Sequence, residues 1–147
     1  VFTDIEGVEG SRDNDRITGD ANNNRLDGRG GSDTLDGGAG LDWAEYNQAT
    51  LGIIVNLAEG RAQDDGQAAS DEGPDSRVDA DVLISIENVQ GGVAGDRITG
   101  DSGPNVIEGG PGNDTLFGAA GPRSIGLEFQ AVLGGSAGHT EPFGGEC

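Results

Sequence analysis

Through residues 10–45 an apolar side chain returns at every ninth position, as Ile17, Leu26, Leu35 and Ala44. The stretch divides without remainder into four nine-residue units: GSRDNDRIT, GDANNNRLD, GRGGSDTLD and GGAGLDWAE. Glycine opens each unit, Asp or Asn stands sixth (Asp15, Asn24, Asp33, Asp42), and the apolar residue stands eighth. The last three residues of a unit suffice only for a short strand with its eighth side chain facing inward. The glycine-rich first half predicts a sharp turn, since glycine takes positive φ without penalty. Self-similarity at a fixed short period predicts a repeat architecture.

The register returns after 81 residues. IEGVEG at 5–10 matches IENVQG at 86–91, DRITGD at 15–20 matches DRITGD at 96–101, and GSDTLDG at 31–37 matches GNDTLFG at 112–118. A second block thus reads GGVAGDRIT, GDSGPNVIE, GGPGNDTLF and GAAGPRSIG over residues 91–126. Its sixth positions are Asp96, Asn105, Asp114 and Arg123; its eighth positions are Ile98, Ile107, Leu116 and Ile125. The last unit keeps the apolar position, loses the acid, and reads as a degenerate closing turn. Residues 1–9 read as a lead-in strand and 46–90 as a spacer. Within the spacer, 52–57 and 82–86 read as strands by alternation and β-branching, adding Ile53, Val55, Leu57, Val82, Ile84 and Val89 to the core. The acidic stretch 59–81 between them reads as a protruding loop. Residues 127–147 read as a C-terminal cap and loose tail, with Leu127, Phe129, Ala131 and Leu133 alternating like one strand; a repeat array needs such a cap over its last apolar layer.

Composition narrows the chemistry. The 147 residues predict one domain, and 29 Gly with 4% aromatics predict a thin core that cannot by itself offset the entropy of ordering the chain. A net charge of −19 opposes nucleic acid and anionic membrane surfaces and favours cations. No apolar run is long enough for a transmembrane helix. The single cysteine, Cys147, excludes an internal disulfide. A chain that begins VFTD and contains no Met reads as a processed piece or a fragment of something longer. His139 is the only histidine, so there is no H-E-x-x-H zinc motif.

The units resemble the haemolysin-type calcium-binding nonapeptide G-G-x-G-x-D-x-U-x of the RTX family, over roughly residues 5–121. The resemblance implies an all-β fold: a parallel β-roll (β-solenoid) of two nonapeptide blocks joined by a non-repeat β spacer. It also implies Ca2+ between stacked loops, where two carboxylates and several carbonyls supply the six to eight oxygens the ion takes at about 2.3–2.6 Å. Mg2+ would demand stricter octahedra, and zinc would want His or Cys. Carried over residue by residue, Asp15 and Asp33 share one site, and Asn24 and Asp42 share a weaker one on the opposite edge. Asp96 pairs with Asp114, while Asn105 would face Arg123, which disfavours a cation. Carbonyls of Gly31, Gly40 and Gly112, at fourth positions, are further implied ligands. Asp13, Asp20 and Asp101 stand at block edges as secondary candidates. Taken singly, each Asp is equally a turn former; Asp or Asn at seven of eight sixth positions favours ligands for the set.

The implied function is that of a calcium-binding module which folds on Ca2+ outside the cell and stabilises a secreted bacterial protein, exported by a type I route. It is not an enzyme and has no catalytic residue, does not bind nucleic acid, and does not insert into membranes. Alternatives are the carboxy-terminal piece of an RTX hydrolase (protease, lipase or epimerase) or an adhesin or surface-layer segment, with the catalytic or adhesive domain fused to it. Residues 134–138 match G-x-S-x-G, but that elbow needs a strand, a helix and a large α/β sheet, so the match reads as flexible tail. Trp43 and Tyr46 read as cover for the end of the first block, with a sugar platform as the alternative. The seventh-position arginines Arg16, Arg25 and Arg97 read as offsets to neighbouring acids.

Overall fold

The structure, a computed structural model, describes residues 6–63, 80–118 and the backbone of 130–132. Among these residues there are thirteen short strands and no helix. In the first block the strands are the last three residues of each unit: β2 (Arg16–Thr18), β3 (Arg25–Asp27), β4 (Thr34–Asp36) and β5 (Trp43–Glu45), preceded by β1 (Gly7–Glu9). The spacer adds β6 (Ile54–Asn56), β7 (Arg61–Gln63), β8 (Ala80–Ile84) and β9 (Asn88–Gln90). The second block contributes β10 (Arg97–Thr99), β11 (Val106–Glu108) and β12 (Thr115–Phe117), and β13 (Gln130–Val132) follows.

The strands divide between two sheets, ordered β1-β3-β5-β9-β11-β13 and β12-β10-β6-β7-β8-β4-β2. Successive units send their strands to opposite sheets, so neighbours within a sheet come from every second unit. The eighteen-residue offset therefore places eighth position beside eighth position: Ile17 pairs with Leu35, Leu26 with Ala44 and Ile98 with Leu116, all in parallel. The first sheet is parallel throughout and carries the spacer across without a break, Ala44 lying opposite Val89. Because the strands alternate their side chains, most three-residue strands bury their middle residue, while β3 also buries Asp27 and β9 Asn88. Leu26, Leu35, Ala44, Ile98 and Ile107 are buried with Val55, Leu83 and Val89 of the spacer in one cluster, and Leu116 packs against it.

Three readings of the sequence are corrected. First, the stretch expected to protrude as a loop contains β7, which is antiparallel to both β6 and β8. Ala62 is buried opposite Val55 and Asp81, and Gly60, at φ 64°, turns the hairpin. An Arg-Ala-Gln strand with one small apolar residue leaves no hydrophobic signature; residues 64–79 lie outside the described part. Second, Val82 and Ile84 face outward, and Leu83 is the buried residue of β8. The parity is set by Asp81, whose carboxylate points into the molecule two residues before Leu83. Third, the partner of Ile107 is Ala131, not Ile125. β13 thus stands six residues beyond the place that the nine-residue register gives for a strand opposite β11. Arg123, residues 134–138, His139 and Cys147 fall outside the described residues. No helix of the described residues is long and apolar enough to cross a membrane.

Candidate metal centre

The sixth residue lies two places before the buried eighth, so in extended chain both face the same way. Asn24, Asp33, Asp42, Asp96 and Asn105 are accordingly buried. Each of the three implied pairs is brought together in one geometry. The backbone N–H of Asp15 donates to Asp33 Oδ1 (2.7 Å), that of Asn24 to Asp42 Oδ1 (2.7 Å), and that of Asp96 to Asp114 Oδ1 (3.0 Å). The ladder also runs into the spacer, beyond the two glycine-opened blocks. Asp33 N–H donates to Asp81 Oδ1 (2.8 Å), Asp42 N–H to Glu87 Oε2 (2.9 Å), and Ile53 N–H to Asp96 Oδ1 (3.0 Å). Asp81 and Glu87 could have been found by one signal: each precedes a buried aliphatic, Leu83 or Val89, by two residues. Tyr46 is buried and its hydroxyl donates to Asp81 Oδ2 (3.0 Å), so it is part of the interior and no sugar platform.

Two kinds of close approach make glycine necessary. At the first position, a Cβ on Gly28 would collide with Asp33 Oδ2, and one on Gly109 with Asp114 Oδ2. At the fourth, Gly31, Gly40 and Gly112 take φ of 111°, 138° and 146°, which side-chain-bearing residues avoid. There each lies against the fourth residue of the loop eighteen places back, Asp13, Asn22 and Ala94 respectively. The implied carbonyl ligands thus sit where loops from alternate units touch.

The loops fall into two states. In four of them the second residue's N–H donates to the sixth side chain of its own loop: Ser11 to Asp15 (2.6 Å), Asp20 to Asn24 (2.9 Å), Gly92 to Asp96 (2.8 Å) and Asp101 to Asn105 (2.9 Å). In the loops with fourth-position Gly31, Gly40 and Gly112 the second residue has positive φ instead: Arg29 (69°), Gly38 (93°) and Gly110 (80°). The Arg29 amide turns to Asp27 Oδ1 (2.8 Å). Asp33 Oδ2 and Asp42 Oδ2 are left buried with no hydrogen-bond partner among the described residues. Burying a carboxylate oxygen uncompensated is costly, and a bound cation removes that cost. Burial pushes the Asp33 carboxyl up to about 6, against the Asp15 N–H bond and with help from the Asp81, Asp15 and Asp27 charges. Burial likewise raises Asp96.

The remaining candidates are placed differently. Asp13 is exposed, and its amide donates to Ser11 Oγ (3.1 Å). Asp20 turns into its own loop, accepting the Asn22 N–H (2.7 Å), which holds its carboxyl below the usual range. Asp101 also turns into its own loop and accepts the Gly103 N–H (2.7 Å). Asn105 donates through Nδ2 to the Glu87 carbonyl (2.8 Å) and Asp101 Oδ1 (3.0 Å). Arg25 pairs with Glu45 and lies over Trp43, and Arg97 lies over Phe117, in keeping with outer-face roles. No cluster of three or more His, Cys, Asp or Glu occurs among the described residues. A metal here would therefore rest on one or two acids and on backbone carbonyls, a purely oxygen donor set that fits Ca2+.

The family model for the RTX calcium-binding nonapeptide repeat (4 copies) matches residues 9–44 and 90–124. No curated protein matches the chain.

Proposed function

Through these two blocks the chain belongs to the RTX calcium-binding nonapeptide repeat family, whose repeats bind Ca2+, and on that footing we propose that it is a calcium-dependent folding module of a secreted bacterial protein. One observation carries the reading: Asp33 and Asp42 each hold a buried carboxylate oxygen with no hydrogen-bond partner among the described residues, in two loops that carry fourth-position glycines. The cation ligands in this reading are Asp15 with Asp33, Asn24 with Asp42, and Asp96 with Asp114, together with carbonyls of Gly31, Gly40 and Gly112. Asn105 and Asp13 are lesser contributors. The fold is read as a parallel β-roll (β-solenoid), with a lead-in strand at 1–9, blocks at 10–45 and 91–126, a spacer at 46–90 and a cap and tail at 127–147.

Without cation the acids repel one another and the thin core does not compensate, so metal binding and folding are one reaction. Extracellular calcium modules work at about 10⁻⁴–10⁻³ M, far above cytosolic calcium. A chain of this kind stays unfolded for type I export and folds on arrival, lending stability to whatever catalytic or adhesive domain is fused to it. The test is circular dichroism during a calcium titration. Coil in chelator, a cooperative gain of β signal near millimolar Ca2+ and no response to Mg2+ are expected; equal order after exhaustive EDTA treatment refutes the proposal.

A further inference from the structure

Both partnerless oxygens lie in the two loops of the first block that abut the spacer, and the spacer supplies an acid to each: Asp81 above Asp33, Glu87 above Asp42. Asp81 already accepts the Asp33 N–H and the Tyr46 hydroxyl. Glu87 accepts only the Asp42 N–H, through Oε2, leaving Oε1 without a hydrogen bond among the described residues. Its place in the chain is unusual. The connections before β3, β4 and β5 are six residues long, whereas residues 85–87 alone join β8 to β9. Ser85 bends at φ 50°, its carbonyl packs where a Cβ on Gly37 would stand, and Ile86 is buried. Across this short bridge the glutamate side chain reaches the Asp42 N–H at 2.9 Å.

We propose that Glu87 and Asp42 form a divalent-cation site of the Ca2+ class at the junction of block and spacer. Glu87 lies outside both matched segments, as the sixth residue of a unit, 82–90, that has no glycine, so the matched repeats do not include this ligand. The site rests on the calcium-module reading and alters its second pair: the strong acid opposite Asp42 is Glu87, on the spacer side, rather than the neutral Asn24 on the other. A carboxylate pair holds Ca2+ more tightly than a carboxylate with an amide, because affinity rises with ligand charge. The junction thereby becomes an anchor through which cation binding in the first block orders the spacer, and through β9 the second block.

Trp43, the only tryptophan, directly follows Asp42, so Tb3+ bound there is sensitised by it and reports this site apart from the others. The probe is Tb3+ titrated into the full chain, with Ca2+ calorimetry alongside. Glu87→Gln keeps an oxygen to accept the Asp42 amide and removes only the charge. It is expected to raise the half-saturating Tb3+ for Trp-sensitised emission at least about threefold; a smaller change overturns the proposal. If Glu87→Gln does not fold in saturating Ca2+, Glu87→Asp serves instead. It keeps the charge, shortens the reach and must weaken the emission by the same criterion, and an unchanged response overturns the proposal. Absence of Ca2+ heat in the wild type would refute the module reading itself. Wild-type binding with an unaltered variant response refutes the junction site alone.

Discussion

Asp33 performs two tasks that substitution can separate. Its Oδ1 accepts the Asp15 amide at 2.7 Å, and its Oδ2 is buried and unpartnered. Asp33→Asn keeps an acceptor for the amide and removes the charge; Asp33→Ala removes both. Loss of one carboxylate should raise half-saturating Ca2+ about tenfold, equivalent to about 1.4 kcal/mol. Loss of a charged acceptor for a buried amide adds about 1.5–3 kcal/mol, bringing the alanine variant to about 3–4 kcal/mol. Since binding and folding are one reaction in the proposed module, both costs appear in the calcium midpoint of the β signal, read by far-ultraviolet circular dichroism. The order expected is Ala weakest, then Asn, then wild type, with Asp13→Ala close to wild type because Asp13 is exposed. An asparagine midpoint equal to wild type would mean that the charge never meets a cation. Equal midpoints for Asn and Ala would mean that the ladder bond contributes nothing.

Burial raises Asp33 to about 6 from 3.8 and raises Asp96 in the same direction. A raised carboxyl holds more protons folded than unfolded, so in chelator residual order is fullest below the unfolded value and is lost as pH rises towards about 6. In calcium the same protons compete with the ion. Half-saturating Ca2+ should therefore climb as pH falls through 6, and calcium titrations on either side of that pH giving one midpoint would refute this. Leu35→Ala empties a fully buried position and should cost about 2–5 kcal/mol in denaturant unfolding at saturating Ca2+. Val82→Ala, on the outer face, should stay within about 0.5 kcal/mol, and a larger loss would contradict the parity of β8. Gly112→Ala puts a side chain at φ 146° against the Ala94 carbonyl and should cost about 1–3 kcal/mol by the same assay. Gly103→Ala, whose nearest new contact is Asp101 Oδ1 at 3.1 Å, serves as its milder control.

The repeat blocks were legible because two independent signals agreed in them: an apolar residue every ninth place, and an acid two places earlier. That agreement located β2 to β5 and β10 to β12, the buried eighth positions and the three sixth-position pairs. Where only one signal operated, the reading slipped. Val82 and Ile84 satisfied β-branching but not parity, since it is Asp81 that decides which way β8 faces. Ala62 is too small to mark β7, which is held by strand pairing on both sides. Ile125 kept the hydrophobic signal without the acid, and Ala131 took its place opposite Ile107. Glu87 stands in nine-residue register, nine places before Asp96 and two before Val89, but was hidden because its unit, VLISIENVQ, has no glycine and carries Glu in place of Asp or Asn.

The two-residue spacing of acid and aliphatic gives the proposed module a reason to need its cation for folding. In a helix, positions two apart diverge; in extended chain they share a face. Each unit that buries its eighth residue therefore carries its sixth residue inward too, and Leu35 cannot enter the core without bringing Asp33, nor Ala44 without Asp42. The hydrophobic gain of a unit is thus tied to a desolvated carboxylate, and the ladder amide satisfies only one of its two oxygens. Loops such as 10–15 and 91–96 satisfy the second oxygen with the N–H of their own second residue, and so close without help. Loops 28–33 and 37–42 have turned that amide away through positive φ at Arg29 and Gly38. In each sheet a self-satisfied loop therefore stands beside one that waits for a positive charge. In the proposed module calcium would complete the second kind while the first supplies a preformed wall, and the pairing would make the ion an element of the core rather than an ornament of its surface.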